Sequence, residues 1–222
     1  MIFFSVDFSL FEKRSILNIA EKFPDLQFVD FGGGFGIPYK PEQLALNMDD
    51  LSQKMTARFT KFIQYYGRDL RMKIEPGRLL LGPAGVLLAT VTNITDTPKH
   101  SFVGVDSGFN HLVRPTMYGS YHKILNASRI SATEKNVVVV GNICESGDIL
   151  SRSGDEITRK ISSPAIGERL AFLDTGAYGF SMSSQYNFRP RPAEVLVHQG
   201  QSRLIRRAET FEDLTQCFVD FN

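Results

Sequence analysis

The chain has 222 residues, 42% hydrophobic and 22% charged, a composition that suits a globular protein of one or two domains with a sizeable core. Its 25 basic and 24 acidic side chains leave a formal net charge of +1, which gives no reason to expect nucleic acid as a partner. The opening Met1-Ile2-Phe3-Phe4-Ser5-Val6-Asp7 lacks a preceding basic stretch and is soon interrupted by an acid, so it makes a poor signal peptide, and no run is long enough to span a bilayer.

Ser9 is placed to cap a first helix, with Glu12 three residues on and Ile16, Ile19, Ala20 and Phe23 recurring at helical spacing until Pro24 ends it. Residues 26–31 read as a short buried strand running into Phe31-Gly32-Gly33-Gly34-Phe35-Gly36. Asp49 and Asp50 open a second helix, in which Leu51, Met55, Phe59, Phe62 and Tyr66 share one side and Gly67 is the stop. Residues 70–75 form another strand. This α-β-α-β order is that of a parallel sheet covered by helices, and it predicts an α/β domain over residues 1–82.

From about Gly82 the texture changes. Residues 86–94, 102–106, 137–140, 170–173 and 194–197 are strand-like runs separated by turn residues. His198-Gln199-Gly200-Gln201 predicts a hairpin loop with 203–207 as its return strand, and a short helix begins at Thr210. Residues 83–222 therefore predict an all-β domain, with no internal repeat or low-complexity linker. Only two barrel-type strands are visible in the first part, whereas a closed α/β barrel takes eight. Two parallel strands leave unpaired edges and an uncovered apolar face. The chain is thus expected to be the C-terminal half of a larger enzyme and not to fold stably by itself.

Consecutive glycines after a strand let backbone N–H groups converge on an anion, although Gly32, Gly33 and Gly34 would serve equally in a tight turn without ligand. Neither nucleotide-binding pattern is met: no Gly-Lys-Ser/Thr follows, and Ile37 stands where a third glycine would be required. Glu75-Pro76-Gly77-Arg78 sets a carboxylate and a guanidinium at the end of a strand, a combination that also occurs as a plain surface turn. Lys73 lies on the same side of that strand as Glu75, and a solvated or ion-paired lysine is preferred over a Schiff-base role. Cys144-Glu145-Ser146-Gly147-Asp148 follows a strand and joins a thiol to a carboxylate, whereas a lone cysteine is otherwise a small buried apolar residue. Cys144 and Cys217 make neither metal spacing nor a disulfide framework, so a reducing cytoplasm, or an organelle such as a plastid, is the expected setting. Asp174-Thr175-Gly176-Ala177-Tyr178 closes a further strand, and the four histidines show no ligand spacing, so no metal is expected.

In this order the four segments resemble those of the pyridoxal-phosphate amino-acid decarboxylases built from a barrel and a β-domain, nearest the diaminopimelate decarboxylases, from about Phe28 to the C-terminus. The resemblance implies an α/β plus all-β fold: the last strands and helices of a cofactor-binding (β/α) barrel, followed by a C-terminal β-sandwich or barrel-like domain. It implies pyridoxal 5'-phosphate as cofactor, with Gly32, Gly33, Gly34 and Arg78 around its phosphate. Glu75, in the turn with Pro76 and Gly77, would face the pyridine nitrogen, where a carboxylate makes the ring an electron sink. Tyr178 would touch both cofactor and substrate.

The amino-acid substrate would be held by Arg78, Arg114, Tyr118, Glu145 and Tyr178. Glu145 would accept from its distal ammonium, while Arg114 and Tyr118 hold its distal carboxylate. Ornithine decarboxylases carry aspartate where Glu145 stands, which favours meso-2,6-diaminopimelate, converted to L-lysine and CO2. Cys144 would act across a homodimer interface, donating a proton after CO2 leaves. An ornithine- or arginine-type decarboxylase, and a non-catalytic partner of a full-length paralogue, stand as alternatives. The family's cofactor-anchoring lysine and ring-stacking histidine precede the Gly-rich turn by more chain than is present. The chain is therefore expected to be inactive alone and to require an N-terminal half.

Overall fold

A long amphipathic helix organises the first of two units, Met1–Ala84 and Gly85–Asn222, into which the computed structural model divides. The structure describes residues 16–219. The helix start expected at Ser9 and Glu12 lies outside them. In the first unit, helix α1 (Ile16–Ala20), strand β1 (Phe28–Asp30), helix α2 (Met48–Tyr66), strand β2 (Arg71–Lys73) and helix α3 (Gly77–Leu81) follow in order. Asn47, two residues before the Asp49 expected to open it, caps α2 by accepting the Asp50 N–H at 3.0 Å. Asp49 and Asp50 occupy the first turn, where the helix dipole favours acids. Gly67 ends α2 at φ +74°, donating to the Ile63 carbonyl.

The apolar side read from the sequence is the buried one: Leu51, Met55, Phe59 and Phe62 all face inward. Phe59 and Phe62 pack with Leu17, Ala20, Val29 and Leu70, while Leu51 and Met55 pack with Phe35. β1 and β2 pair in parallel, Phe28 opposite Arg71, Val29 opposite Met72 and Asp30 opposite Lys73. β2 is exposed along its length, as are Phe28, Ile74, Leu80 and Leu81. That is the uncovered apolar face expected of a two-strand ribbon. The strand expected over 70–75 stops at Lys73, and the helical turn α3 was not foreseen.

The second unit contains a six-stranded sheet of β3 (Leu87–Asp96), β4 (Ser101–Val105), β5 (Ile124–Asn126), β6 (Glu134–Val140), β7 (Arg159–Ser162) and β8 (Arg169–Phe172), in the order β5-β8-β3-β4-β6-β7. β4 and β6 run parallel and the other pairs antiparallel. The sheet curls until its edges approach, Asn126 on β5 donating to the Ser162 carbonyl on β7 at 3.5 Å, which gives a nearly closed, barrel-like form. Val91, Val103, Val105, Leu112, Val137, Val139, Leu150, Leu170 and Phe172 fill it. Helix α4 (Arg114–Tyr118) interrupts the region expected to be all-β, with Pro115 in its first turn and Gly119 closing it at φ +60°.

Strands β9 (Glu194–His198) and β10 (Gln201–Arg206) form the expected hairpin, separate from the barrel. Its turn residues Gln199 and Gly200 take φ +50° and +76°, the left-handed pair that matches strand twist. Helix α5 (Phe211–Thr215) begins at the expected Thr210, whose side chain and that of Asp213 cap it reciprocally.

Candidate active site

Parallel strands bind ligands at their C-terminal ends, and both glycine-bearing segments of the first unit lie there. After β1, Asp30 Oδ1 accepts the Gly32 N–H at 2.9 Å, and the chain turns through Gly32 at φ +68° and Gly34 at φ +91°. After β2, Glu75 donates its N–H to the Gly32 carbonyl at 2.8 Å. A Cβ on Gly33 would stand 2.9 Å from the Glu75 carbonyl oxygen, so only glycine allows this approach. The Gly32–Gly34 and Glu75–Arg78 turns are thereby locked into one structure. Around Gly32, Gly34 and Gly36 an added Cβ would meet nothing within 4 Å, which leaves the rim open. The Glu75 side chain is exposed and Arg78, in the first turn of α3, is half-buried.

Pyridoxal phosphate fits these residues: a backbone concavity free of side chains suits a phosphate, and the adjoining carboxylate and guanidinium suit a pyridinium and an anion. Lys73 is turned to a different purpose, its ammonium 3.6 Å from the centre of the Phe28 ring across the strand pair.

In the second unit β6 leads into Cys144 and Glu145, both exposed, so the cysteine is not the buried apolar filler that a lone thiol usually is. Glu145 Oε1 accepts the Gly147 N–H at 3.2 Å and the Ser146 hydroxyl at 3.3 Å. Beneath them Asp148 is buried and accepts the N–H groups of Phe109 at 2.7 Å and Ile143 at 2.8 Å. Burial pushes the Asp148 carboxyl pKa up, the two N–H donors pull it down, and the nearby Glu145 charge raises it further. Thr116 Oγ1 donates to the Gly147 carbonyl at 2.8 Å, which ties this loop to α4.

Arg114 and Tyr118 both lie on α4. Arg114 is only 4% exposed, donates from Nη2 to Ser120 Oγ at 3.2 Å, and holds its guanidinium 5.8 Å from the Tyr178 ring centre. It is a buried helical cation. Tyr118 is half-buried. Tyr178 sits at φ +63°, partly exposed, at the end of a turn so tight that a Cβ on Gly179 would fall 2.2 Å from the Thr175 carbonyl oxygen. Burial raises the pKa of Asp174 at the start of the same turn.

Arg114 and Tyr178 therefore come together, Tyr118 shares α4 with Arg114, and Thr116 ties the loop bearing Cys144 and Glu145 to that helix. Sequence reasoning passed over Thr116, Asp148 and Asn187, whose side-chain amide reaches the Cys144 carbonyl at 3.5 Å. The Ser-Gly-Asp turn was visible for Asp148, but nothing in the pattern announced its burial. Among the described residues no group of three or more His, Cys, Asp or Glu is placed to hold a metal ion, and no helix is long and apolar enough to cross a membrane.

Residues 3–176 match the family model described as pyridoxal-dependent decarboxylase, C-terminal sheet domain. A diaminopimelate decarboxylase of Methanothermobacter thermautotrophicus is 47% identical over 192 residues, 86% of this chain and 44% of its own. A crystal structure of a diaminopimelate decarboxylase superposes with a TM-score of 0.88 at 38% identity, covering 95% of this chain and 52% of that one. The M. jannaschii diaminopimelate decarboxylase in co-complex with L-lysine superposes with a TM-score of 0.80 at 34% identity, covering 92% and 46%. The chain thus spans about half the length of the relatives it matches. The family is pyridoxal-dependent, and the glycine cradle beside Glu75 and Arg78 fits that cofactor. By its matched length and its barrel-like sheet, the chain belongs to the pyridoxal-dependent decarboxylases, and within them it is similar to diaminopimelate decarboxylases.

Proposed function

We propose that this chain supplies the C-terminal portion of a decarboxylase acting on meso-2,6-diaminopimelate, giving L-lysine and CO2, and that it needs a lysine-bearing barrel half to turn over. The observation that carries this reading is the Thr116–Gly147 strap. It holds the Glu145 loop against the helix bearing Arg114 and Tyr118, so an anion and a cation lie on adjoining elements. A substrate whose far end is itself an amino acid needs both: a carboxylate for its ammonium and a guanidinium for its carboxylate. The M. jannaschii relative solved with L-lysine agrees with the expected product.

Bound pyridoxal phosphate would supply an electron sink for the pair left when CO2 departs. Gly32, Gly33 and Gly34 would bind its phosphate through backbone N–H groups, with Arg78 beside it, and Glu75 would hold the ring nitrogen protonated. Tyr178 would contact both cofactor and substrate. The Cys144 thiol would hand a proton to the substrate carbon, acting from a second copy of the chain in a homodimer. The exposure of Cys144 supports a role at such a shared site.

The test is to co-express the chain with the N-terminal barrel half of a full-length diaminopimelate decarboxylase and to assay the purified assembly. CO2 and lysine released from diaminopimelate, with ornithine, arginine and lysine inert, is the expected result. Turnover of ornithine or lysine without diaminopimelate would transfer the chain to another decarboxylase. An assembled, cofactor-loaded complex inert toward all four would leave it a non-catalytic partner.

A further inference from the structure

Cys144 and Glu145 sit on an exposed loop, yet proton transfer and ammonium binding need both side chains held to within a fraction of an ångström. The loop leaves the sheet at Gly141 and returns at Ile149, where an isolated bridge to Val140 closes it. Between these points the one fully buried side chain with a charge is that of Asp148, 3% exposed. Its two oxygens divide their work. Oδ2 accepts the Ile143 N–H, immediately before Cys144, and Oδ1 accepts the Phe109 N–H, in the segment leading from β4 to α4.

The fit around this carboxylate is close. A Cβ on Gly141 would lie 2.2 Å from Oδ2 and 2.5 Å from Oδ1, and one on Gly108 would lie 3.0 Å from Oδ2. Two glycines thus make room for a carboxylate that joins two loops. Asn142 N–H to the Ser107 carbonyl, at 2.9 Å, reinforces the same junction.

We propose that Asp148 is a positioning residue, whose buried carboxylate clasps the Cys144–Glu145 loop to the segment carrying Arg114 and so fixes where the thiol and the Glu145 carboxylate project. The functional part of this proposal rests on reading Cys144 and Glu145 as reacting groups; the clasp itself does not. Asp148→Asn is the matching probe. It keeps the shape and one acceptor oxygen, but turns an N–H donor toward either Ile143 or Phe109 and releases one side of the clasp.

A nitroxide attached at Cys144 in a Cys217→Ser background of the full chain reads the loop directly. Asp148→Asn should sharpen its spectrum toward fast motion, while amide exchange at Val137–Val139 and Leu170–Phe172 stays unchanged. An unaltered nitroxide spectrum in the folded variant overturns the clasp. Should the variant not fold, exchange in the unsubstituted chain decides: the Phe109 and Ile143 amides must be protected although both lie in loops, and free exchange at either overturns it.

In the assembly with a barrel half, Asp148→Asn should lower kcat about tenfold with cofactor loading unchanged, and should lower it no further in a Cys144→Ala, Glu145→Gln background. An equal loss in both backgrounds shows that Asp148 does not act through Cys144 and Glu145 and overturns the positioning role. An unsubstituted assembly without turnover would refute the decarboxylase reading alone, with the nitroxide result still judging the clasp.

Discussion

At the scale of single residues, the glycines divide by what stands opposite them. Gly33 lies against the Glu75 carbonyl and Gly36 faces open space. An alanine at Gly33 must push the Glu75 turn away from the Gly-rich turn, whereas at Gly36 it displaces nothing. In the assembly with a barrel half, Gly33→Ala should weaken pyridoxal phosphate binding by about tenfold or more, roughly 1.4 kcal/mol, and Gly36→Ala should change it less than about twofold. A fluorescence titration with the cofactor checks this, and equal effects would separate the cradle from cofactor binding. Arg114 gives a second test, because a lost charge-assisted bond is worth about 1.5–3 kcal/mol. Arg114→Met keeps the length of the side chain and removes its donors, so KM for diaminopimelate should rise roughly ten- to hundredfold. A variant with unchanged KM would remove Arg114 from the substrate site. Gly33 was singled out from the glycine run, and Arg114 from its match to a position of the family it resembles. The burial of Arg114 was not legible, because a single cation in a five-residue helix carries no period from which burial could be inferred.

Among the elements, the β9–β10 hairpin shows how local chemistry closes a unit apart from the barrel. Arg191 precedes β9 and Glu209 follows β10. The Arg191 N–H donates to Glu209 Oε2 at 2.8 Å, its Nε donates to Oε1 at 2.7 Å, and the Glu209 N–H returns to the Arg191 carbonyl at 3.0 Å. Hydrogen bonding to the Arg191 guanidinium holds the Glu209 carboxyl at about 2, against an ordinary 4.5. A depressed carboxyl stabilises the folded state above its unfolded pKa and loses that contribution as pH falls through the folded one. The Tm gap between the chain and its Glu209→Gln variant should therefore be constant from pH 7 to about 5, narrow below 4.5 and close near 2. A gap that persists undiminished at pH 2 would assign the stabilisation to neutral hydrogen bonds.

The hairpin was legible because Gln199-Gly200 between two apolar runs is a local signal. α2 and β6 were legible for a similar reason: their period or β-branched run extends over several turns or pleats. α3, α4, β5 and β7 were not, being three to five residues long and fixed by neighbours. Ile124–Asn126 becomes a strand because β8 offers it a ladder, and no property of those three residues demands it.

For the whole molecule, the two units differ in how much each buries. In the second, Val105, Val139, Leu170 and Phe172 are wholly inaccessible, and a curled six-stranded sheet surrounds them. In the first, the buried apolar residues gather in two small clusters against a two-stranded ribbon, one of whose strands is exposed throughout. A two-stranded sheet is marginal in water without a face packed on both sides, and local openings follow the elements with least burial. Amide exchange followed by mass spectrometry should find β6 and β8 exchanging only through global unfolding, and β1 and β2 exchanging at least about a hundredfold faster, which corresponds to a difference of about 2.7 kcal/mol in opening free energy. Adding a barrel half should slow exchange in β1 and β2 toward the rates of the second unit and leave β6 and β8 where they were, because the added strands would cover the first unit's apolar face. Equal protection of both units in the chain alone would show that the two-stranded ribbon needs no complement.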